Sequence, residues 1–227
     1  MFWKYLRPIL CAAFGALCFA APAFAQDAAA LPDLSQLSLI TTTKHHRPAD
    51  PLNVALVGSR DEIIAVMQAA GWQPADPVTF RSSAHIIRSV ALRRAYLTAP
   101  VSALYYQGRR QDLAFEQEVG RSASRRHHVR FWKVSDDGPG GRPLWLGDAT
   151  YDRSVGLSHH GSVTHHISGD VDAERAFLID GLNKTAQVAS VTTLKGAGPR
   201  RARNGGGDLY WTDGDVALAV VARATAQ

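Results

Sequence analysis

The chain has 227 residues, with 25 Lys and Arg against 20 Asp and Glu, nine His and two Cys. A net charge of +5 is mild and gives no support to a nucleic-acid partner, which asks for a concentrated basic face. Both cysteines, Cys11 and Cys18, lie near the N-terminus, so a disulfide scaffold or a Cys-ligated metal is excluded from the rest of the chain.

Residues 1–25 read as an export signal. Lys4 and Arg7 precede an apolar run from Ile9 to Ala20, and Ala23-Phe24-Ala25 is a small-x-small cleavage site before Gln26. The run falls short of the roughly 20 apolar residues a membrane span needs. Cleavage removes both cysteines and lowers the basic count from 25 to 23 against 20 acidic residues. The expected product is a soluble periplasmic or secreted protein with no transmembrane segment after cleavage and no nucleic-acid partner.

Residues 26–47 lack a sustained period and read as a flexible tether, with room for a short strand at Leu37–Thr42. The domain is expected over 48–225. It opens with Leu52–Val57, a buried-strand pattern, and Ser59 with Glu62 forms a capping box for a helix near 60–70. Gly71 is its C′ residue, and Trp72 covers the helix end. A second helix is expected over 82–94, with His85 on it as a partly exposed side chain. Pro100–Tyr106 is extended, and Gly108–Phe115 turns into another strand.

The stretch Arg125–Ile167 carries six of the nine histidines, as the pairs His127–His128, His159–His160 and His165–His166. Alternation over Val129–Val134, a Gly/Pro/Asp turn and Leu144–Leu146 predict a hairpin, and Val155–Ile167 a second one. Neighbours on a strand face opposite ways, so each pair sends one imidazole to each side. Asp170 then caps a helix near 171–183 with Asp172 and Glu174 in its first turn. Lys184–Leu194 is a strand, Gly196–Gly207 a mobile loop bearing Arg200, Arg201 and Arg203, and Asp213-Gly214 a hairpin turn between Leu209–Trp211 and Val216–Ala219. The fold class expected is α+β: one domain with a mixed, mainly antiparallel sheet covered by about three helices.

Several segments resemble the LssY C-terminal domain family. They are Ser102-x-Leu104-Tyr105 with Gly108-Arg109-x-Gln111-Asp112-Leu113-Ala114-Phe115-Glu116, then Arg126-His127-His128-Val129-Arg130-Phe131-Trp132, then Trp145-x-Gly147-x-Ala149-Thr150-x-Asp152. Thr164-His165-His166-Ile167 and Asp170-Val171-Asp172-x-Glu174-Arg175 complete the set, so the resemblance covers roughly Pro48–Leu182. It implies a domain of unestablished role, often joined to membrane segments of the DedA or lipid-phosphatase type. Here an export signal stands in place of those segments, and none of the phosphatase motifs occurs.

Two kinds of chemistry fit these residues. Neutral imidazole is a common metal ligand, and on the second hairpin His159, His160, His165 and His166 form a candidate set for zinc, with Asp148 or Asp152 adding a carboxylate. A solvated or hydrogen-bonded His cluster is the plain alternative. Guanidinium matches phosphate in bidentate fashion, so Arg109, Arg126, Arg130, His128 and Arg175 are candidate ligand-binding residues. Their plain alternatives are ion pairs, of Arg175 with Asp172 and of Arg130 with Asp148 or Asp152 across the sheet.

The leading function is an exported accessory or binding module of the bacterial envelope, recognising a phosphate-bearing or lipid-headgroup ligand, with an envelope lipid-metabolism membrane protein as a candidate partner. The alternative is a metal- or His-assisted phosphoester hydrolase with His127, His165, His166, Asp148 and Asp152 as candidate catalytic residues. On the last strand His165 shares a face with Ile167 and is expected on the buried side. Asp148, Asp152 or His160 is its expected partner, and His166 is expected to be dispensable for stability.

Overall fold

The computed structural model describes residues 32–75, 103–120, 122–157 and 163–223. First come strands β1 (Ile40–Thr42), β2 (Pro48–Pro51) and β3 (Val54–Val57), then helix α1 (Arg60–Ala69) and β4 (Gln73–Pro74). Next are β5 (Tyr105–Tyr106), β6 (Arg109–Arg110), β7 (Leu113–Val119) and β8 (Ser122–Gly138). A 3-10 turn at Pro139–Gly141 leads into β9 (Arg142–Leu157) and β10 (Val163–Ile167), followed by helix α2 (Val171–Asn183). The chain continues through β11 (Val188–Leu194), β12 (Arg201–Arg203), β13 (Leu209–Trp211) and β14 (Val216–Val221).

The predicted central hairpin forms as the longest element pair. Gly140 and Gly141 both take positive φ (67° and 66°), which lets the chain reverse between β8 and β9. These two strands sit inside a sheet ordered β11-β14-β3-β9-β8-β7-β4, with β10 also paired to β9. All pairings are antiparallel except β14 with β3. β3 has all four residues buried because both faces of the sheet are covered, which is why it reads as a continuous apolar run.

One face carries the two helices, whose Ile63, Met67, Leu178 and Leu182 pack with Leu56, Trp72, Phe115 and Phe131. Ser59 caps α1 through the expected reciprocal bonds with Glu62, and Gly71 (φ 86°) ends it with Trp72 fully buried behind. The other face is covered by a second sheet, ordered β2-β1-β5-β6. There Leu39, Leu52, Leu104 and Tyr106 meet Trp132, Leu146 and Leu218. A third small sheet, the β12–β13 ribbon, packs Tyr210 and Ala202 onto Ile167 and Val171.

The expected α+β class is corrected: the fold is mostly β, with three sheets and two α-helices among the described residues. The third expected helix, 82–94, lies outside the described residues. In the second sheet, β1, β5 and β6 fall within stretches expected to be extended, but at two to four residues its strands carry too short a period to show that they pair into a separate sheet. β2 accommodates Pro48 and Pro51 because it is an edge strand, where a missing N–H is tolerated.

Three further readings change. β13 and β14 do not pair, since β13 joins β12 and β14 lies between β11 and β3. Instead Asp172 accepts hydrogen bonds from Thr212 Oγ1 (2.6 Å) and the Asp213 amide (2.7 Å), fixing Thr212–Asp215 to the start of α2. Arg201–Arg203, expected in a mobile loop, is strand β12. A Cβ at Gly196 would collide with the Gly214 carbonyl, so this glycine permits close chain approach. Residues 32–47, in the expected tether, place Leu34 and Leu39 in the core. No helix among the described residues is long and apolar enough to cross a membrane.

Candidate functional site

The β8–β9 register sets Arg126 opposite Asp152, His128 opposite Thr150 and Arg130 opposite Asp148. Alternation then places all six on one face, while His127, Val129 and Phe131 point to the helical side. All six are buried. They continue the row begun by Trp132 and Leu146, so an apolar interface between sheets passes into a polar seam along the same strands.

Asp152 is the hub of that seam. Its Oδ2 accepts from Arg126 Nε at 3.0 Å, and Oδ1 lies 3.3 Å from His128 Nδ1. The latter two atoms are not aligned for a hydrogen bond, so attraction between them is of charge more than direction. His128 Nε2 meets Thr150 Oγ1 at 2.7 Å. Arg126 also donates from Nη1 to Glu116 Oε2 at 2.9 Å, and its Nη2 lies 3.1 Å from His165 Nδ1. A guanidinium nitrogen only donates, so His165 Nδ1 accepts and its ring proton sits on Nε2. The 3.5 Å approach of Nδ1 to Asp152 Oδ2 is then an electrostatic neighbour contact.

Arg130 belongs to the deeper end. Its amide and Nη1 donate to the two oxygens of Asp148 at 2.9 and 3.2 Å, and Asp50 Oδ2 of β2 lies 3.6 Å from Nη1. Burial pushes the Asp148 carboxyl up to about 7, Arg130 opposes this and Asp50 adds to it. Burial likewise raises Asp50 and Glu116, against Arg130 and Arg126 respectively. Burial alone would also raise Asp152, but His128, then His165 and Arg126, hold it well below the usual carboxylate range. Burial pushes the His165 imidazole down, against the pull of Asp152. The seam thus holds an ionised hub beside a carboxyl that titrates near neutrality.

Of the candidate residues, Arg126, His128, Arg130, Asp148, Asp152 and His165 come together. His127 does not: its Nδ1 lies 2.9 and 2.8 Å from the two Glu174 oxygens on α2, and its ring stacks on Phe177 at 3.8 Å. His166 Nδ1 pairs with Asp208 Oδ1 at 2.8 Å, and Asp208 Oδ2 also accepts the Ile167 amide. Arg109 donates to the Lys133 carbonyl and pairs with Asp112. Lys133 is seven residues from Arg126 on β8, roughly 23 Å at ~3.3 Å per residue. Arg175 pairs with Asp213 at 2.7 Å and with Asp172 at 3.2 Å. For Arg130 and Arg175 the cross-strand and i,i+3 ion pairs anticipated from the sequence are present.

Among the described residues no three His, Cys, Asp or Glu side chains are grouped as metal ligands. His159 and His160, half of the zinc candidate set, lie outside the described residues. Sequence reasoning missed Asp50, Glu116, Thr150, Glu174 and Asp208. Glu116 and Thr150 sit in quoted segments and follow from strand parity once register is known. Asp50 and Asp208 carry no local signal, because they arrive from another sheet and from the turn between β12 and β13.

A family sequence model described as LssY C-terminus matches residues 29–216, beyond both ends of the resemblance noted above. No curated protein and no solved structure matches the chain significantly. With most of its length matched, the chain belongs to the LssY C-terminus family.

Proposed function

We propose that this chain is an exported accessory or binding module of the cell envelope, which takes a phosphate-bearing group, free or as a lipid headgroup, where Arg126 meets His165. What carries this reading is the dispersal of the other reactive candidates. A phosphoester hydrolase built on His127, His165, His166 and Asp148 needs them to converge on one phosphorus. His127 faces Glu174 on the helical side, His166 is bound to Asp208, and Asp148 is fully buried against Arg130. His165, by contrast, lies at the margin of the seam with its side chain 18% exposed. Arg126 behind it is committed to Asp152, Glu116 and the ring Nδ1, and so fixes the imidazole in place at that margin.

The test is titration of the full chain with glycerol phosphate, following histidine ring resonances by NMR, beside a generic phosphatase assay. The expected result is a saturable shift of the His165 ring resonances, with no turnover. Turnover lost on His165→Ala would replace the module with the hydrolase. No shift at millimolar glycerol phosphate would reject the binding site.

A further inference from the structure

The β12–β13 ribbon has one committed face and one open face. Register pairs Arg201 with Trp211, Ala202 with Tyr210 and Arg203 with Leu209. Ala202 and Tyr210 pack inward against Ile167, Val171 and Ile40. Alternation therefore turns Arg201, Arg203, Leu209 and Trp211 outward together, with Trp211 51% and Leu209 36% exposed. Arg200 is exposed just before the strand.

The charges of this patch are uncompensated. Arg109, Arg126, Arg130, Arg142 and Arg175 each have a carboxylate within ion-pair distance, but among the described residues Arg200, Arg201 and Arg203 have none. Arg203 does donate to the Gly207 carbonyl, which leaves its charge unpaired. The nearest acids along the chain are engaged elsewhere, Asp208 with His166 and Asp213 with Arg175. The ribbon is also a firm mount: the Trp211 amide bonds the Gly169 carbonyl at 2.8 Å, and Thr212 is tied to Asp172 of α2.

We propose that this face docks the protein on an anionic bilayer surface, with Trp211 and Leu209 at the headgroup level and the three arginines against lipid phosphates. A half-exposed Trp beside unpaired Arg is the chemistry of a membrane–water interface, where an amphipathic ring finds an apolar body and a wet edge. Basic residues at such a surface each contribute roughly a fivefold gain in partition at moderate salt. The docking residues are other side chains than Arg126 and His165, so docking does not depend on headgroup recognition at that margin.

Sedimentation of the full chain with vesicles of phosphatidylglycerol and phosphatidylcholine, against phosphatidylcholine alone, tests this. The expected result is salt-sensitive partition to the anionic vesicles only, falling roughly 25-fold in the double variant Arg201→Gln/Arg203→Gln. Quenching of Trp211 by brominated lipid, absent in Trp211→Phe, would place the ring at the interface. Circular dichroism of both variants guards against unfolding. Partition unchanged by the arginine substitutions, or no partition, would overturn the proposal. Partition lost on His165→Ala but retained by the double variant would also overturn it, in favour of headgroup binding at the margin. A dimer that Trp211→Phe dissociates, without vesicle affinity, would give the face to self-association instead.

Discussion

Removing the Asp152 carboxylate is the sharpest test of the polar seam. In Asp152→Leu the Arg126 guanidinium stays buried, keeping Glu116 at 2.9 Å and losing its 3.0 Å bond to Asp152. Breaking one side of a buried ion pair costs about 3–5 kcal/mol, and the retained Glu116 argues for the lower end, about 3. For a domain of this size that is a fall in Tm of roughly 6–12 °C, at about 2–4 °C per kcal/mol. Replacing Arg126 by Met in the same molecule removes the buried guanidinium, and Glu116, already raised by burial, can take up a proton, so the double variant should be more stable than Asp152→Leu alone. Urea unfolding of the full cycle, read from midpoints at constant m, measures the coupling. A second readout is independent of stability. Asp152 raises the His165 imidazole, so its loss should lower the His165 pKa further, as followed by NMR. Additive single effects, or a His165 titration that does not move, would refute Asp152 as the hub.

Other consequences follow from the same geometry. His166→Ala, expected from the sequence alone to spare stability, should cost about 1–2 kcal/mol in urea unfolding, because it strands Asp208 and uncovers Gly156, over which the His166 ring packs. Asn53→Ala should cost about 2–4 kcal/mol by the same assay, since its amide bonds Ala149 on both sides and the Val171 carbonyl, joining β3, β9 and α2. Asp148 has a folded pKa raised to about 7 from 3.8, so its stabilising contribution is full below about 4 and is lost as pH rises to about 7. Asp148→Asn removes that loss, and its stability relative to the parent chain should therefore climb between pH 4 and 7; a difference independent of pH would refute the neutral carboxyl. His165 has the opposite sign, its lowered pKa withdrawing stability as pH falls below 6.5, which is why the comparison is made between variants.

Local patterns in the sequence were enough to place both α-helices with their caps, the β8–β9 hairpin and the buried β3. Each of these is dictated within a few residues, by a side chain satisfying a nearby amide, a glycine allowing a turn, or apolar spacing matched to one period. The same parity separated His165 from His166 and anticipated the Arg130–Asp148 pair. Tertiary structure decided the rest. The second sheet is assembled from strands of two to four residues, and nothing local to them names their partners. The partner of His127 comes from Glu174, 47 residues away, that of His166 from Asp208, 42 away, and Asp50 reaches Arg130 from another sheet. Strand spacing states which side chains share a face, but whether that face meets solvent, an apolar layer or a counter-charge depends on what packs across it. That is why residues expected to be an open Arg/His surface prove to be a buried, largely self-paired seam, and arginines expected in a loose loop stand on an exposed ribbon beside Trp211.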